Sequence, residues 1–160
     1  MNKKKSLVLP TSIFFLIALL IFLLDQITKS IVRNYIKLGT SLEVIPNILS
    51  FTHTTNTGAS FSLFTNFSVV LTIIAIIVVL AIIIFHRKIP DCYKLPFALI
   101  LGGTLGNLTD RLLFGTVTDF IDVKVWPIFN GADNAITVAA ILLIIIAWKE
   151  DKEEKNKTLK

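Results

Sequence analysis

Four apolar segments set the pattern of this chain: Leu7 to Leu24, Val69 to Phe85, Leu95 to Leu113, and a shorter run from Ile136 to Trp148. A helix rises about 1.5 Å per residue and the hydrocarbon layer is about 30 Å thick, so one crossing takes about 20 residues, with about 17 to 25 tolerated. The first three segments meet that length, and the second is the most uniformly apolar. The third does so while carrying Thr104, Asn107, Thr109, Asp110 and Arg111. The fourth holds only 13 residues, which is about 20 Å of helix. To span, it must extend backwards through Asp133 and Asn130 to about Phe129, and Asp133 is thereby drawn into the membrane edge. The expected spans are about 7–24, 68–85, 95–113 and 131–148.

Between the first two spans, from about Ser30 to Phe67, the chain is rich in Thr, Ser, Asn and β-branched residues, with Gly39 and Pro46 as turn signals. Short strands are expected there, with Phe61, Leu63, Phe64 and Phe67 dipping into the interface. After Gly115, the segment Val117 to Val125 has strand-like composition and can pair with them. The predicted fold class is an all-α membrane bundle of four transmembrane helices with a small β-rich extracytoplasmic subdomain, about 30–67 with 115–128. Residues 1–160 are expected to form a single polytopic membrane domain, ending in a frayed, solvated tail from Lys149 to Lys160.

Composition agrees with lipid as the solvent, since 54% of the 160 residues are apolar and only 17% are charged. A net charge of +5 raises the question of nucleic acid, but no face interleaves basic with aromatic residues, so no nucleic-acid partner is expected. Charge location points to a bilayer instead. Four crossings put both termini on one side, and Lys3, Lys4, Lys5, Arg87, Lys88, Lys94, Lys149, Lys152, Lys155, Lys157 and Lys160 fall there. These are 11 of the 16 basic residues, which marks that side as cytoplasmic. Asp25, Glu43, Asp110, Asp119, Asp122 and Asp133 lie outside or at the outer edge, and the chemistry is expected there. Lys3-Lys4-Lys5 before an apolar run resembles a secretory signal. The run exceeds the usual core of about 7 to 15 residues, however, and Asp25-Gln26 follows it in place of a small-x-small cleavage site. It reads as a retained anchor. The lone Cys92 excludes an internal disulfide.

Ionisable groups within the hydrocarbon are costly and persist when paired or used. Asn107, Asp110 and Arg111 stand at i, i+3 and i+4 and share a helix face; Asn130 and Asp133 are likewise i, i+3. Neutralisation of charges at a helix end is the plain alternative for Asp110 and Arg111, but two polar faces at one depth on adjacent helices are hard to explain in that way. Gly102 and Gly106 form a GxxxG pair, reinforced by Gly103, one turn from Asn107, where close helix approach would bring the polar faces together. There is no HExxH motif, paired Cys or His cluster to hold a metal. A Ser/Lys arrangement using Lys29 and an outer serine such as Ser62 has no local motif behind it. Carboxylates remain. Two aspartates in close contact share a proton, so that one activates water while the other polarises a scissile carbonyl. Asp25, Asp110, Asp119, Asp122 and Asp133 all qualify by depth, and depth does not choose between them.

The runs Asp25-Gln26-Ile27-Thr28-Lys29, Asn56-Thr57-Gly58-Ala59-Ser60-Phe61-Ser62, Gly102 to Arg111, Gly115 to Asp122 and Phe129-Asn130-Gly131-Ala132-Asp133, in that order, closely resemble the lipoprotein signal peptidases, or signal peptidase II. The resemblance implies that Asp119 and Asp133 are the catalytic pair. It further implies that Asn107, Asp110, Arg111 and Asn130 support the site, and that Asp25, Lys29, Asn56 and Gly58 line the substrate and outer subdomain. Asp110 and Arg111 are expected to form a local ion pair at the outer end of the third helix. The implied substrate is a diacylglyceryl-modified prolipoprotein cut before its lipidated cysteine, at the outer face of a bacterial cell membrane. No metal or soluble cofactor is implied, and globomycin-type inhibitors are expected to bind. Two departures stand out: Asn134 replaces a small hydroxyl residue, and the stretch between Asp119 and Asp133 is short. The rival reading is a small proton-coupled transporter or channel subunit with an intramembrane relay, which would show internal repeats and polar groups spread through the membrane depth. No repeat is evident, and the polar residues collect at one level.

Overall fold

The computed structural model describes residues 9–57 and 67–158. Lys3, Lys4, Lys5, Leu7, Gly58, Phe61, Ser62, Leu63, Phe64 and Lys160, and the side chains of Phe67 and Lys157, lie outside this description. In chain order the elements are α1 (Thr11–Tyr35), β1 (Ser41–Ile45), β2 (Leu49–Asn56), α2 (Phe67–Phe85), a 3-10 turn (His86–Lys88), α3 (Asp91–Phe114), β3 (Val117–Asp122) and α4 (Gly131–Thr158). The fold is mostly helical with one small sheet. Among the described residues, three helical stretches are long and apolar enough to cross a membrane: Thr11–Tyr35, Ser68–Lys88 and Gly131–Asn156. Their outward faces carry large apolar side chains such as Leu24, Ile77 and Ile144, all exposed, as lipid-facing surfaces do. In α3 the charged residues Asp91, Lys94, Asp110 and Arg111 dilute the apolar character. Its 24 residues still extend about 36 Å, and it packs against all three other helices.

The first helix corrects an expected boundary. It runs past Leu24 to Tyr35, so the stretch from Ser30, expected to open the strand-rich subdomain, begins as helix. Asp25, Lys29 and Arg33 follow one another at intervals of four and therefore line one helix face. Asp25 and Lys29 on that face are buried against the bundle. A polar helix face lowers hydropathy as a loop does, but it breaks no backbone hydrogen bond.

Small residues bring the helices together around α3. A Cβ at Gly102 would meet the Ala18 carbonyl oxygen of α1 at 2.5 Å, and one at Gly103 would meet the Ala132 carbonyl oxygen of α4 at 2.7 Å. At Gly106 it would strike the Asp25 carboxylate and approach the Ala132 Cβ. Gly102 and Gly106 thus admit α1, while Gly103 admits α4 on the neighbouring face. Away from the polar end, Phe14, Ala18, Ala75, Val79, Ile82, Ala98, Leu101 and Leu108 form the apolar core.

The sheet has the order β1-β2-β3, antiparallel throughout. Gly115, at φ 74°, ends α3 in a left-handed conformation and donates its N–H to the Arg111 carbonyl, a helix stop that glycine adopts at least cost. Two residues later β3 begins. Thr54 lies opposite Asp119 and Asn56 opposite Val117, so Asn56 and Asp119 are diagonal neighbours on one sheet face. Beyond β3 the chain turns tightly. The Asp122 carboxylate accepts from the backbone N–H of Lys124, which has φ 65°, and also from the Lys124 ammonium and the Thr52 hydroxyl. The return strand pairs Phe129 with Ile121, and α4 starts immediately after it. That short return is how the loop between Asp119 and Asp133 closes.

Candidate active site

Asn130 joins two of the five aspartates singled out by depth. It precedes the first residue of α4 and forms a reciprocal cap: the Asp133 N–H donates to Asn130 Oδ1 at 2.9 Å, and the Asn130 N–H donates to Asp133 Oδ2 at 3.4 Å. Its amide Nδ2 meanwhile donates to Asp119 Oδ1 at 2.6 Å and to Asn107 Oδ1 at 3.1 Å. Asn56 Nδ2 donates to the other Asp119 oxygen at 3.0 Å, and Asn107 Nδ2 donates to Asp133 Oδ1 at 2.7 Å. Strand β2, helix α3 and the residue before α4 therefore fix both carboxylates through three asparagine side chains.

The other three aspartates are committed elsewhere. Lys29 is fully buried, and its ammonium is 2.8 Å from Asp25 Oδ2, 3.2 Å from Asp110 Oδ2 and 2.9 Å from Asn107 Oδ1. Three acceptors use its three N–H donors, so its ammonium is committed to holding Asp25, Asp110 and Asn107. Asp25 turns its second oxygen to the Ala132 N–H at 2.8 Å and so anchors the start of α4. Asp110 also accepts from the Thr118 backbone at 2.9 Å, from Gln26 at 3.2 Å and from Arg33 at 3.4 Å. Asp122 is occupied by the turn at Lys124, whose hydrogen bonds hold its carboxyl below the usual carboxylate range. Among the described residues, Asp119 and Asp133 make no ion pair.

Burial, with the charge of Asp133 added, pushes the Asp119 carboxyl up to about 6 against the lowering effect of the Asn56 and Asn130 hydrogen bonds. Four carboxylates (Asp25, Asp110, Asp119, Asp133) face three cations (Lys29, Arg33, Arg111) in this cluster, so one retained proton brings it to neutrality. The linkage has a definite sign. A carboxyl raised on folding contributes stability that is fully present below its unfolded value of about 3.9 and is lost as pH rises through about 6. Asp119→Asn removes that ionisation. The stability of the variant relative to the parent, followed by melting in detergent, is expected to rise by up to about 3 kcal/mol between pH 4 and pH 7. A difference that stays flat with pH would contradict the shift.

The profile of the family described as Signal peptidase (SPase) II matches residues 17–149. The chain belongs to the signal peptidase II family. It is 41% identical over 133 residues to a lipoprotein signal peptidase of Moorella thermoacetica, covering 81% of this chain and 89% of that one. It is 37% identical over 152 residues to a lipoprotein signal peptidase of Staphylococcus aureus, covering 91% and 93%. A solved structure of a bacterial membrane enzyme superposes with a TM-score of 0.82 at 35% identity, covering 89% of this chain and 92% of that one. Membership of signal peptidase II makes the chain an aspartic peptidase of the membrane and displaces the transporter reading.

Not every residue of the signal peptidase II motifs lies where the resemblance put it. Asn107, Asn130 and Asn56 meet the two aspartates directly. Asp25 and Lys29 are buried where α1 meets α3 and the start of α4. The expected Asp110–Arg111 ion pair is absent among the described residues. Asp110 pairs with Lys29 and Arg33, while the strongest electrostatic partners of Arg111 are Asp133 and then Asp119. One residue's advance turns a helix by about 100°, enough to send the two side chains to different partners. Gly58 lies outside the described residues. Arg33, Gln26 and Thr118 went unassigned in the sequence, although the spacing of Arg33 from Lys29 and Asp25 signals a shared face.

Proposed function

We propose that Asp119 and Asp133 together hydrolyse the peptide bond before the lipidated cysteine of a diacylglyceryl-modified prolipoprotein. The observation that carries this is the shared Asn130, which fixes both carboxylates while Asp25, Asp110 and Asp122 are tied up elsewhere. One carboxylate takes a proton from water, and the hydroxide oxygen bonds to the scissile carbonyl carbon. The proton held by the other carboxyl passes to the carbonyl oxygen. The tetrahedral diol then collapses, the C–N bond breaks, and the cysteine nitrogen leaves with a proton from the pair. The shared proton belongs to the pair as a unit. The positive charge of Arg111 offsets that of both aspartates. No metal or cofactor takes part in this scheme.

On this reading α3 is the remaining crossing, and the four helices make one polytopic membrane domain of the bacterial cell membrane. The clustering of basic residues at the chain ends and at Arg87, Lys88 and Lys94 supports cytoplasmic termini, with the polar cluster and sheet at the outer face. Scissile bond and water then meet at the interface while the acyl chains stay in lipid. The test uses purified protein with one prolipoprotein in lipidated and unlipidated forms, with and without globomycin. Cleavage of the lipidated form alone, on the amino side of its cysteine and blocked by globomycin, is expected. Failure to cut the lipidated form, or equal cutting of both, would overturn the proposal.

A further inference from the structure

A cavity of about 300 Å³ lies directly beside Asp133, lined by Trp126, Phe129, Asp133, Asn134 and Thr137. The two departures noted in the sequence converge on it. The short return between Asp119 and Asp133 supplies its aromatic wall, and Asn134 supplies its polar floor. Thr137 is one helical turn from Asp133 and three residues from Asn134, so these side chains share a face that runs from the aspartate toward the middle of the bilayer. Asn134 and Thr137 are exposed, and among the described residues neither side chain makes a hydrogen bond. The same face continues as Val138, Ile141, Ile144 and Ile145, all exposed to lipid. Trp126, also exposed, stands at the lip, where an aromatic ring suits the boundary between water and hydrocarbon.

We infer that this cavity receives the glyceryl ester group of the substrate, with the Asn134 amide and Thr137 hydroxyl donating hydrogen bonds to the ester carbonyls. This rests on the peptidase reading above. The groups in the cavity match that occupant. A diacylglyceryl thioether presents two ester carbonyls that accept and no group that donates, and of the two uncommitted donors Asn134 sits beside the reacting carboxylate and Thr137 one turn further along α4. The acyl chains continue over the exposed isoleucines of α4, and the aromatic wall of Trp126 and Phe129 covers the glycerol carbons. Donors left unmatched at such a depth bind an acceptor more favourably than they would in water.

The test compares two synthetic prolipopeptides that differ only in the lipid, one a diacylglyceryl diester and one the dialkylglyceryl diether, which lacks both carbonyls. The parent protein is expected to favour the diester by about tenfold, chiefly in KM, as the loss of two hydrogen bonds of modest net strength gives. In the double variant Asn134→Leu, Thr137→Val that ratio is expected to fall to about one. Asn134→Ser, which replaces the amide donor with a hydroxyl donor, is expected to retain most of it. A parent ratio near one, or a ratio unchanged in the double variant, would overturn the assignment. A parent protein that cuts neither lipopeptide defeats the peptidase reading itself, so the two failures are distinguishable.

Discussion

Asp119→Asn and Asp133→Asn should each lower cleavage of a diacylglyceryl prolipoprotein by about 10²- to 10⁴-fold, the range associated with removing a positioned acid or base. Shape is nearly conserved by either change, and the aspartates lie at an end of the bundle remote from the apolar core of Phe14, Ala18 and Leu101, so both variants should insert in the membrane as the parent does. The two carboxylates act as a unit, and the double variant should therefore lose scarcely more than either single one, since losses at cooperating groups do not add. The measurement is a single-turnover cleavage assay on purified protein of matched membrane content. Retention of parental turnover in either single variant would remove that residue from the pair. A double variant whose loss equals the product of the two would mean that they act separately.

Lys29→Met should cost about 3–5 kcal/mol of stability, the range for removing one partner from a buried ionic cluster. Asp25 and Asp110 are 1% and 0% exposed, and both depend on the Lys29 ammonium. Arg33, 3.4 Å from Asp110, remains for one of them, and Asp25 is left without a cation. Because Asp25 also holds the Ala132 N–H, the first turn of α4 loosens with it and cleavage should fall. Adding Asp25→Asn to Lys29→Met should restore part of the melting temperature in detergent, because the stranded charge is gone. A Lys29→Met protein as stable as the parent would refute the account of this cluster. A destabilised one that Asp25→Asn fails to rescue would place the loss in packing rather than charge.

Much of this was legible in the chain itself. The short apolar run from Ile136 demanded residues as far back as Phe129, which put Asp133 at the membrane edge, and α4 does begin at Gly131. The i, i+3 spacing of Asn130 and Asp133 carried a capping signal as well as a shared face. The end of α1 was misread because hydropathy averages over all sides of a helix. A face of Asp25, Lys29 and Arg33 then looks like a terminus, whereas the interval of four between them describes a helix that continues. The partner of Arg111 could not be read from spacing, since it depends on where β3 returns, and that in turn depends on Gly115 and on the pairing of Phe129 with Ile121.

The anchoring of the first turn of α4 has a consequence for biosynthesis. Asp133 belongs to α4, which leaves the ribosome after α1 and α3, and its place is fixed by Asp25 from α1 and Asn107 from α3. A nascent chain halted before that helix inserts holds Asp119 alone, without the second carboxylate that the proposed hydrolysis needs. Proteolytic competence would then arrive in one step, only when α4 has been threaded and closed against α1 and α3, and a product truncated before α4 would be harmless to the membrane it occupies.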